Sequence, residues 1–174
     1  NPNPNPNPNP NPDPDPTPTP NPNPNQVRLQ VFRRADGAGW ALRTLAPLGK
    51  GKFVLEYVGE HVSQPEAARR ADGSCILPLP RRGHAPSTAG IDALHACNAA
   101  GFVNFACVPN MAARGVLCEH SDAALPHVAF FATRDIAAGE ELTYCRHVEP
   151  GFFGDEAPAR RQCLCGCSNC RGWI

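Results

Sequence analysis

The chain has 174 residues, with 16 Lys and Arg against 16 Asp and Glu, 21 prolines and nine cysteines. The balanced charge and the scattered arginines predict no strong direct binding to nucleic acid. No run approaches the roughly 18 consecutive apolar residues of a membrane span, so we expect a soluble protein that acts without a membrane.

The first segment is a repeat in which 12 of the 21 prolines alternate with Asn, Asp or Thr between Asn1 and Asn25. Every second residue there lacks an N–H, and each residue before a proline is pushed out of the α region. We therefore predict a disordered, extended leader over residues 1–26 that carries no chemistry. The remainder is long enough for one domain.

From Val27 onward, short runs of β-branched and aromatic residues are separated by Gly, Pro and Asp. Runs of this kind, about four to eight residues long, are typical of strands. The sequence thus predicts a mainly β fold with short helices (α+β). The predicted strands are LQVF, KFVLEYV, CILPL, AGIDAL, RGVLC, HVAFFATRDI and ELTY.

Two short helices complete the expected elements. Ser63 and Glu66 have capping-box spacing, and Pro65 between them suits a first helical turn, so a helix is predicted to begin there. The stretch 95–103 is a candidate for a second short helix.

The C-terminal segment CLCGCSNC contains Cys163, Cys165 and Cys170 in C-x-C-x4-C spacing, with Cys167 between them. An odd number of cysteines without a secretory signal favours thiolate–metal chemistry over a disulfide framework. Three such thiolates can converge on a tetrahedral ion and leave one position to fill. The spacing alone leaves an unbound or disulfide-bonded tail possible. It also leaves the fourth ligand open among Cys75, Cys97, Cys107, Cys118, Cys145, Cys167 or a histidine.

The segment GFVNFACVPN, residues 101–110, places the polar Asn104 inside an apolar run. A buried amide there would need hydrogen-bond partners. Taken alone, the residue statistics favour Asn104 as a simple turn former.

Five ordered motifs identify a family. They are GAGW at 37–40, FVLEYVGE at 53–60, FVNFACVPN at 102–110, AFFATRDIAAGEELTY at 129–144 and CLCGCSNC at 163–170. Together they resemble a SET domain followed by a post-SET cysteine segment, as in heterochromatin-type histone-lysine methyltransferases. The resemblance implies several small sheets, with the asparagine motif and the GEEL segment interlaced in a pseudoknot. We expect the SET domain at 27–149 and a zinc-binding post-SET segment at 150–174.

The resemblance also implies site residues. Cys107 would join Cys163, Cys165 and Cys170 on one structural zinc ion, and Tyr144 would be the catalytic hydroxyl. The S-adenosylmethionine contacts would fall on Ala38, Gly39, Trp40, Cys75, Asn104 and Phe105. The implied activity is S-adenosylmethionine-dependent methylation of a lysine on a histone or other protein tail. This activity predicts a nuclear, chromosomal location with indirect association with chromatin.

The sequence departs from the family at three positions. Phe105 stands where histidine is usual, Arg146 where tyrosine is usual, and Cys75 where a tyrosine commonly contacts cofactor and substrate. The alternative hypothesis is therefore a SET-fold module that binds cofactor or a histone tail without turnover. A secreted cysteine-rich domain on a repeat stalk is a third interpretation.

Overall fold

This computed structural model describes residues 26–37, 39–79, 87–118, 125–145, 152 and 162–172 of the chain. Of the predicted leader, only Gln26 lies among them. In chain order the described elements are β1 (Leu29–Arg33), β2 (Trp40–Thr44), β3 (Phe53–Tyr57), β4 (Glu60–Ser63), α1 (Gln64–Ala67), β5 (Ile76–Pro78), β6 (Ala89–Asp92), a 3-10 helix (Ala99–Phe102), β7 (Asn104–Phe105), β8 (Met111–Val116), β9 (His127–Ala132) and β10 (Thr143–Tyr144).

These strands form three small sheets. β1 and β2 make an antiparallel hairpin, and β4, β6 and β5 make an antiparallel three-stranded sheet. The third sheet has five strands in the order β3, β9, β8, β10, β7, and β10 pairs parallel with both of its neighbours. The predicted fold class, mainly β with short helices, is confirmed.

The main core lies against the five-stranded sheet. Val128 and Phe130 of β9 are fully buried, because this strand lies between β3 and β8 and its apolar run is nearly continuous. The hairpin joins this core through Leu42, whose carbonyl accepts a hydrogen bond from the N–H of Leu142 at 2.8 Å. A second apolar cluster, beside the three-stranded sheet, contains Val62, Ala67, Ile76 and Phe152.

The helix α1 begins where it was predicted, directly after Ser63 and with Pro65 in its first turn. The predicted capping box is wrong, since the side chain of Ser63 makes no capping hydrogen bond. Glu66 pairs instead with Arg70 at 2.9 Å, and Arg70 also reaches the buried carboxylate of Asp92 at 3.1 Å. The carboxylate of Glu66, which a capping box would require, is therefore engaged in an ion pair with Arg70.

The second predicted helix is only the 3-10 turn Ala99–Phe102, which Asn98 caps by accepting a hydrogen bond from the N–H of Ala100 at 3.0 Å. Strands β2, β4 and β7 were not predicted, and β8 begins three residues before the predicted run RGVLC. Three of the four residues of β4 are exposed, so its apolar signal is weak. Among the described residues, no helix has the length and apolar character needed to cross a membrane.

Candidate functional site

The turn that joins β1 to β2 presents open main chain. Gly39 has φ +97°, a conformation that favours glycine, and its carbonyl accepts a hydrogen bond from Arg34 at 2.9 Å. A Cβ added at Gly39 would meet no atom within 4 Å. The next residue, Trp40, is 56% exposed, which is high for a tryptophan. Open glycine backbone beside an exposed indole fits a cradle for a ligand. Ala38 lies outside the described residues.

Asn104 connects this turn to a distant segment. Its side-chain amide donates to the carbonyl of Trp40 at 3.1 Å and to the carboxylate of Glu141 at 3.0 Å. Glu141 also accepts two hydrogen bonds from Arg34, each 3.1 Å long. Since Asn104 lies in strand β7, its interpretation as a simple turn former is wrong.

Asn110 fixes the segment that contains Glu141. It is 2% exposed, and its amide nitrogen donates to the carbonyl of Glu141 at 2.7 Å and to the carboxylate of Glu140 at 2.9 Å. Its amide oxygen accepts from the N–H of Thr143 at 2.8 Å. Residues 140–144 thus thread through the loop formed by residues 104–110, which is the interlacing that the family resemblance implied.

The two adjacent glutamates serve different partners. A hydrogen bond from Arg134, 2.5 Å long, holds the pKa of Glu140 down to about 2, with further hydrogen bonds from Asn110 and the N–H of Ala137. Glu141 points the other way, to Arg34 and Asn104. The two carboxylates therefore do not form a paired acid–base site.

Tyr144 lies in an aromatic cluster next to these contacts. It is buried, and its ring centroid lies 4.8 Å from that of Phe105 and 4.8 Å from that of Phe130. Strand register places Tyr144 directly opposite Phe105. Tyr57 packs edge-on against Phe130 at 5.9 Å. The wall around Tyr144 is therefore apolar and closely packed.

Cys75 reaches the same cluster through its main chain. Its carbonyl accepts hydrogen bonds from the hydroxyl of Tyr57 at 2.6 Å and from the N–H of Ala93 at 3.2 Å. Its side chain packs on the main core. The connection from Cys75 to Tyr144 runs through Tyr57 and Phe130. Arg146 lies outside the described residues.

Four cysteine sulfurs converge on one point. The Sγ atoms of Cys107, Cys163, Cys165 and Cys170 all lie within 4.8 Å of one another. Cys107 Sγ lies 3.7 Å from Cys163 Sγ and 4.0 Å from Cys170 Sγ. Zinc–sulfur bonds of about 2.3 Å in a tetrahedron place sulfurs about 3.8 Å apart, so this donor set fits a zinc ion. Of the fourth ligands that the spacing left open and that the structure describes, Cys107 is the one brought to the three C-terminal sulfurs.

The thiols of this cluster differ in their proton affinity. Hydrogen bonds from the main-chain N–H groups of Cys107 and Cys167 lower the pKa of Cys165 to about 5, while burial raises the pKa of Cys163 to about 12. A bound cation would compete with the proton at each of these thiols.

Arg34, Glu141 and the side chain of Asn110 had no predicted role. Glu141 and Asn110 belong to the recognised motifs, but neither was singled out within them. The available signal was a polar residue inside an otherwise apolar motif, as at Asn104. Arg34 carried no such signal, because it meets Glu141 only once the hairpin and the interlaced segments are both folded.

Comparison with known proteins agrees with this geometry. The SET domain sequence profile matches residues 39–145. The histone-lysine N-methyltransferase SUV39H2 of Xenopus tropicalis is 37% identical over 158 residues, which cover 84% of this chain and 39% of the relative. This chain thus spans about two fifths of that protein.

Two solved structures share the fold. Arabidopsis thaliana SUVH6 in complex with SAM has a TM-score of 0.75 at 29% identity, over 85% of this chain and 33% of that one. KRYPTONITE in complex with mCHH DNA, an H3(1-15) peptide and SAH has a TM-score of 0.68 at 30% identity, over 85% of this chain and 29% of that one. The motifs, the interlaced segments and these matches together make the chain a member of the SET-domain family, similar to its SUV39H-type histone-lysine methyltransferases.

Proposed function

We propose that this chain is the catalytic part of an S-adenosylmethionine-dependent protein-lysine N-methyltransferase that acts on a histone tail. The observation that carries the proposal is the network around Asn104, which joins the open glycine turn to the segment bearing Tyr144. A methyl donor on that turn and a lysine beside Tyr144 would then meet across one short distance. The relatives named above, which include a complex with an H3 peptide, support the choice of substrate.

In this proposal the open main chain at Gly39, the indole of Trp40 and the strand at Asn104 and Phe105 hold S-adenosylmethionine. Asn104 is held in place by Glu141, so its position is fixed before the ligand arrives. When bound, the cofactor supplies a methyl group on a positively charged sulfur. Cys75, where the family commonly has a tyrosine, retains only its main-chain connection to the site through Tyr57.

The protein's own part in catalysis is to present a neutral amine. A lysine has an ordinary pKa near 10.4, and only its neutral form has the lone pair that attacks a methyl group. The apolar wall of Phe105, Phe130 and Tyr144 disfavours the ammonium and excludes water. The hydroxyl of Tyr144 then orients the amine nitrogen for in-line attack, so that positioning contributes much of the rate.

The zinc ion in this proposal is structural. Cys107, Cys163, Cys165 and Cys170 would hold it and fasten the post-SET segment, residues 150–174, to the SET domain at 27–149. The C-terminal turn is also held by a hydrogen bond from the N–H of Arg171 to Cys107 Sγ at 3.3 Å and one from the N–H of Cys163 to the carbonyl of Gly172 at 2.9 Å. A histone substrate further implies action on chromosomes in the nucleus, with association through the tail.

The test is to incubate the purified chain with labelled S-adenosylmethionine and core histones. We expect label on a histone lysine, which tandem mass spectrometry would locate. Asp36→Asn serves as a control variant that should transfer label like the unmodified chain. The substitution changes an exposed partner of Arg34 and leaves the Glu141 contact in place. Zinc content measured by mass spectrometry should be one ion per chain.

Phe105 and Cys75 favour a second function, which is binding without methyl transfer. They offer apolar or weakly polar groups where the family has a histidine and a tyrosine. With these residues the chain would hold cofactor or a histone tail without turnover. Calorimetric binding of S-adenosylmethionine with no label transfer at saturating histone would support this function and exclude the enzyme.

A further inference from the structure

A fifth thiol adjoins the four-cysteine cluster. Cys167 Sγ lies 3.2 Å from Cys165 Sγ, and Cys167 is partly exposed. A zinc ion takes four thiolates in a structural site, so one of five neighbouring thiols remains outside the coordination shell. The thiol outside the coordination shell is that of Cys167, because the four clustered sulfurs are those of Cys107, Cys163, Cys165 and Cys170. Its sulfur is therefore in contact with a ligand without being one.

The geometry of this pair approaches that of a disulfide. Two thiolates on one tetrahedral zinc lie about 3.8 Å apart, so 3.2 Å is shorter than a shared ion would impose. A disulfide bond is about 2.05 Å long and accepts Cα separations between about 4.4 and 6.8 Å. Residues two apart along a chain that turns fall within that range. Gly166, between the two cysteines, has φ +68° and supplies the turn.

We propose that Cys165 and Cys167 form a redox-sensitive unit in which peroxide oxidation joins the two sulfurs and releases the zinc. The sulfur of Cys167 attacks a peroxide oxygen, the O–O bond breaks, and a sulfenic acid and one water result. Cys165 then leaves the metal and attacks the sulfenic sulfur. The S–S bond forms as hydroxide departs and is protonated to a second water. One peroxide gains the two electrons that the two sulfurs lose.

This inference rests on the zinc site of the proposed function and not on methyl transfer. Oxidation would leave three thiols for the ion, and a structural site that loses one ligand binds zinc far more weakly. Because Cys107 comes from the loop between Asn104 and Asn110, release of the ion would also detach the C-terminal cysteines from the cofactor side of the domain. A dithiol reductant together with zinc would restore the site.

The test uses the zinc-loaded chain in buffer free of reductant. Hydrogen peroxide is added, a chromophoric chelator follows zinc release, and peptide mapping locates the new bond. We expect release accompanied by a mass decrease of about 2 Da on the peptide that holds Cys165 and Cys167. Cys167→Ser should slow the release about tenfold. The matched control Cys118→Ser, which removes an exposed thiol outside the cluster, should release zinc at the rate of the unmodified chain.

Three results would overturn the proposal. Equal release rates in Cys167→Ser and the unmodified chain would show that Cys167 has no part. A disulfide mapped to Cys107 and Cys163 would assign the oxidation to the ligands themselves. A chain that holds no zinc would remove the metal site and this proposal together, while the histone assay would still measure methyl transfer on its own.

Discussion

The carboxylate of Glu141 lies 3.0 Å from the side-chain nitrogen of Asn104 and accepts its hydrogen bond. The same amide donates to the carbonyl of Trp40, so the position of the exposed tryptophan turn depends on a residue about 100 positions further along the chain. Arg34 closes the arrangement from the other side with two hydrogen bonds to Glu141. These contacts fix the relative positions of three segments before any ligand binds.

We expect Glu141→Gln to weaken S-adenosylmethionine binding about tenfold, because loss of one charged hydrogen bond is worth about 1.5 kcal/mol. The amide would present an N–H to Arg34 or to Asn104, both of which donate. Isothermal titration calorimetry measures the affinity. Asp36→Asn is the matched control, since Asp36 pairs with Arg34 on the exposed side. Equal affinities for both variants would refute the role of Glu141.

Asn110→Ala should lower the free energy of unfolding by about 3 kcal/mol, because it removes a buried amide and leaves the half-buried N–H of Thr143 and the carbonyl of Glu141 without this partner. Urea denaturation measures this loss. As a comparison, Asn98→Ala removes a helix cap in a more exposed place and should cost about 1 kcal/mol. A loss at Asn110 no larger than that at Asn98 would contradict the central position given to the Asn110 contacts.

Acid should weaken the fold through Glu140. Its pKa is lowered to about 2 in the folded chain, chiefly by the hydrogen bond from Arg134, from a value of 4.5 without these contacts. The stabilisation is therefore complete above pH 4.5 and is lost as the pH falls towards 2. Urea unfolding at several pH values should show the difference between the unmodified chain and Glu140→Gln shrinking across this interval. A difference that stays constant would mean that Glu140 is not the titrating group.

Tyr144→Phe should change the methylation product more than the fold. The variant keeps the ring that packs on Phe105 and Phe130, so we expect less than about 1 kcal/mol of lost stability. Without the hydroxyl the space beside the ring is larger, and the product should shift towards more highly methylated lysine. Mass spectrometry of the histone peptides measures the distribution. An unchanged rate with an unchanged distribution would exclude Tyr144 from the site.

How far the sequence predicts this molecule depends on how local each signal is. The apolar run of β9 and the proline-started helix at Gln64 could be predicted because each depends on a few neighbouring residues. β2, β4 and the two-residue β7 were missed, and the three exposed residues of β4 interrupt its apolar pattern. The parallel pairing of β10 with β7 and β8 joins residues more than 30 positions apart, and no periodicity encodes it.

How much of the candidate site could be predicted also depended on how local each sequence signal is. Three of the four clustered cysteines could be found from their mutual spacing, whereas Cys107 required the resemblance to a family. Arg34 and Glu141 could not be predicted, because their contact depends on the hairpin and the interlaced loop both being folded. Asn104 was singled out as an amide that would need partners if buried; it is half-buried and has two partners, which the sequence could not name.

The insertion of β10 between β7 and β8 has a consequence for the order in which the protein folds. Closing so long a loop costs chain entropy before any parallel strand contact is gained. During synthesis the hairpin and the three-stranded sheet can form early, since their strands lie close together in the sequence. The Asn104 network must wait for Glu141, and the cysteine cluster must wait for Cys170. The nascent chain therefore cannot complete the cofactor site before Glu141 has left the ribosome, or the metal site before Cys170 has, so both captures follow the formation of the hairpin.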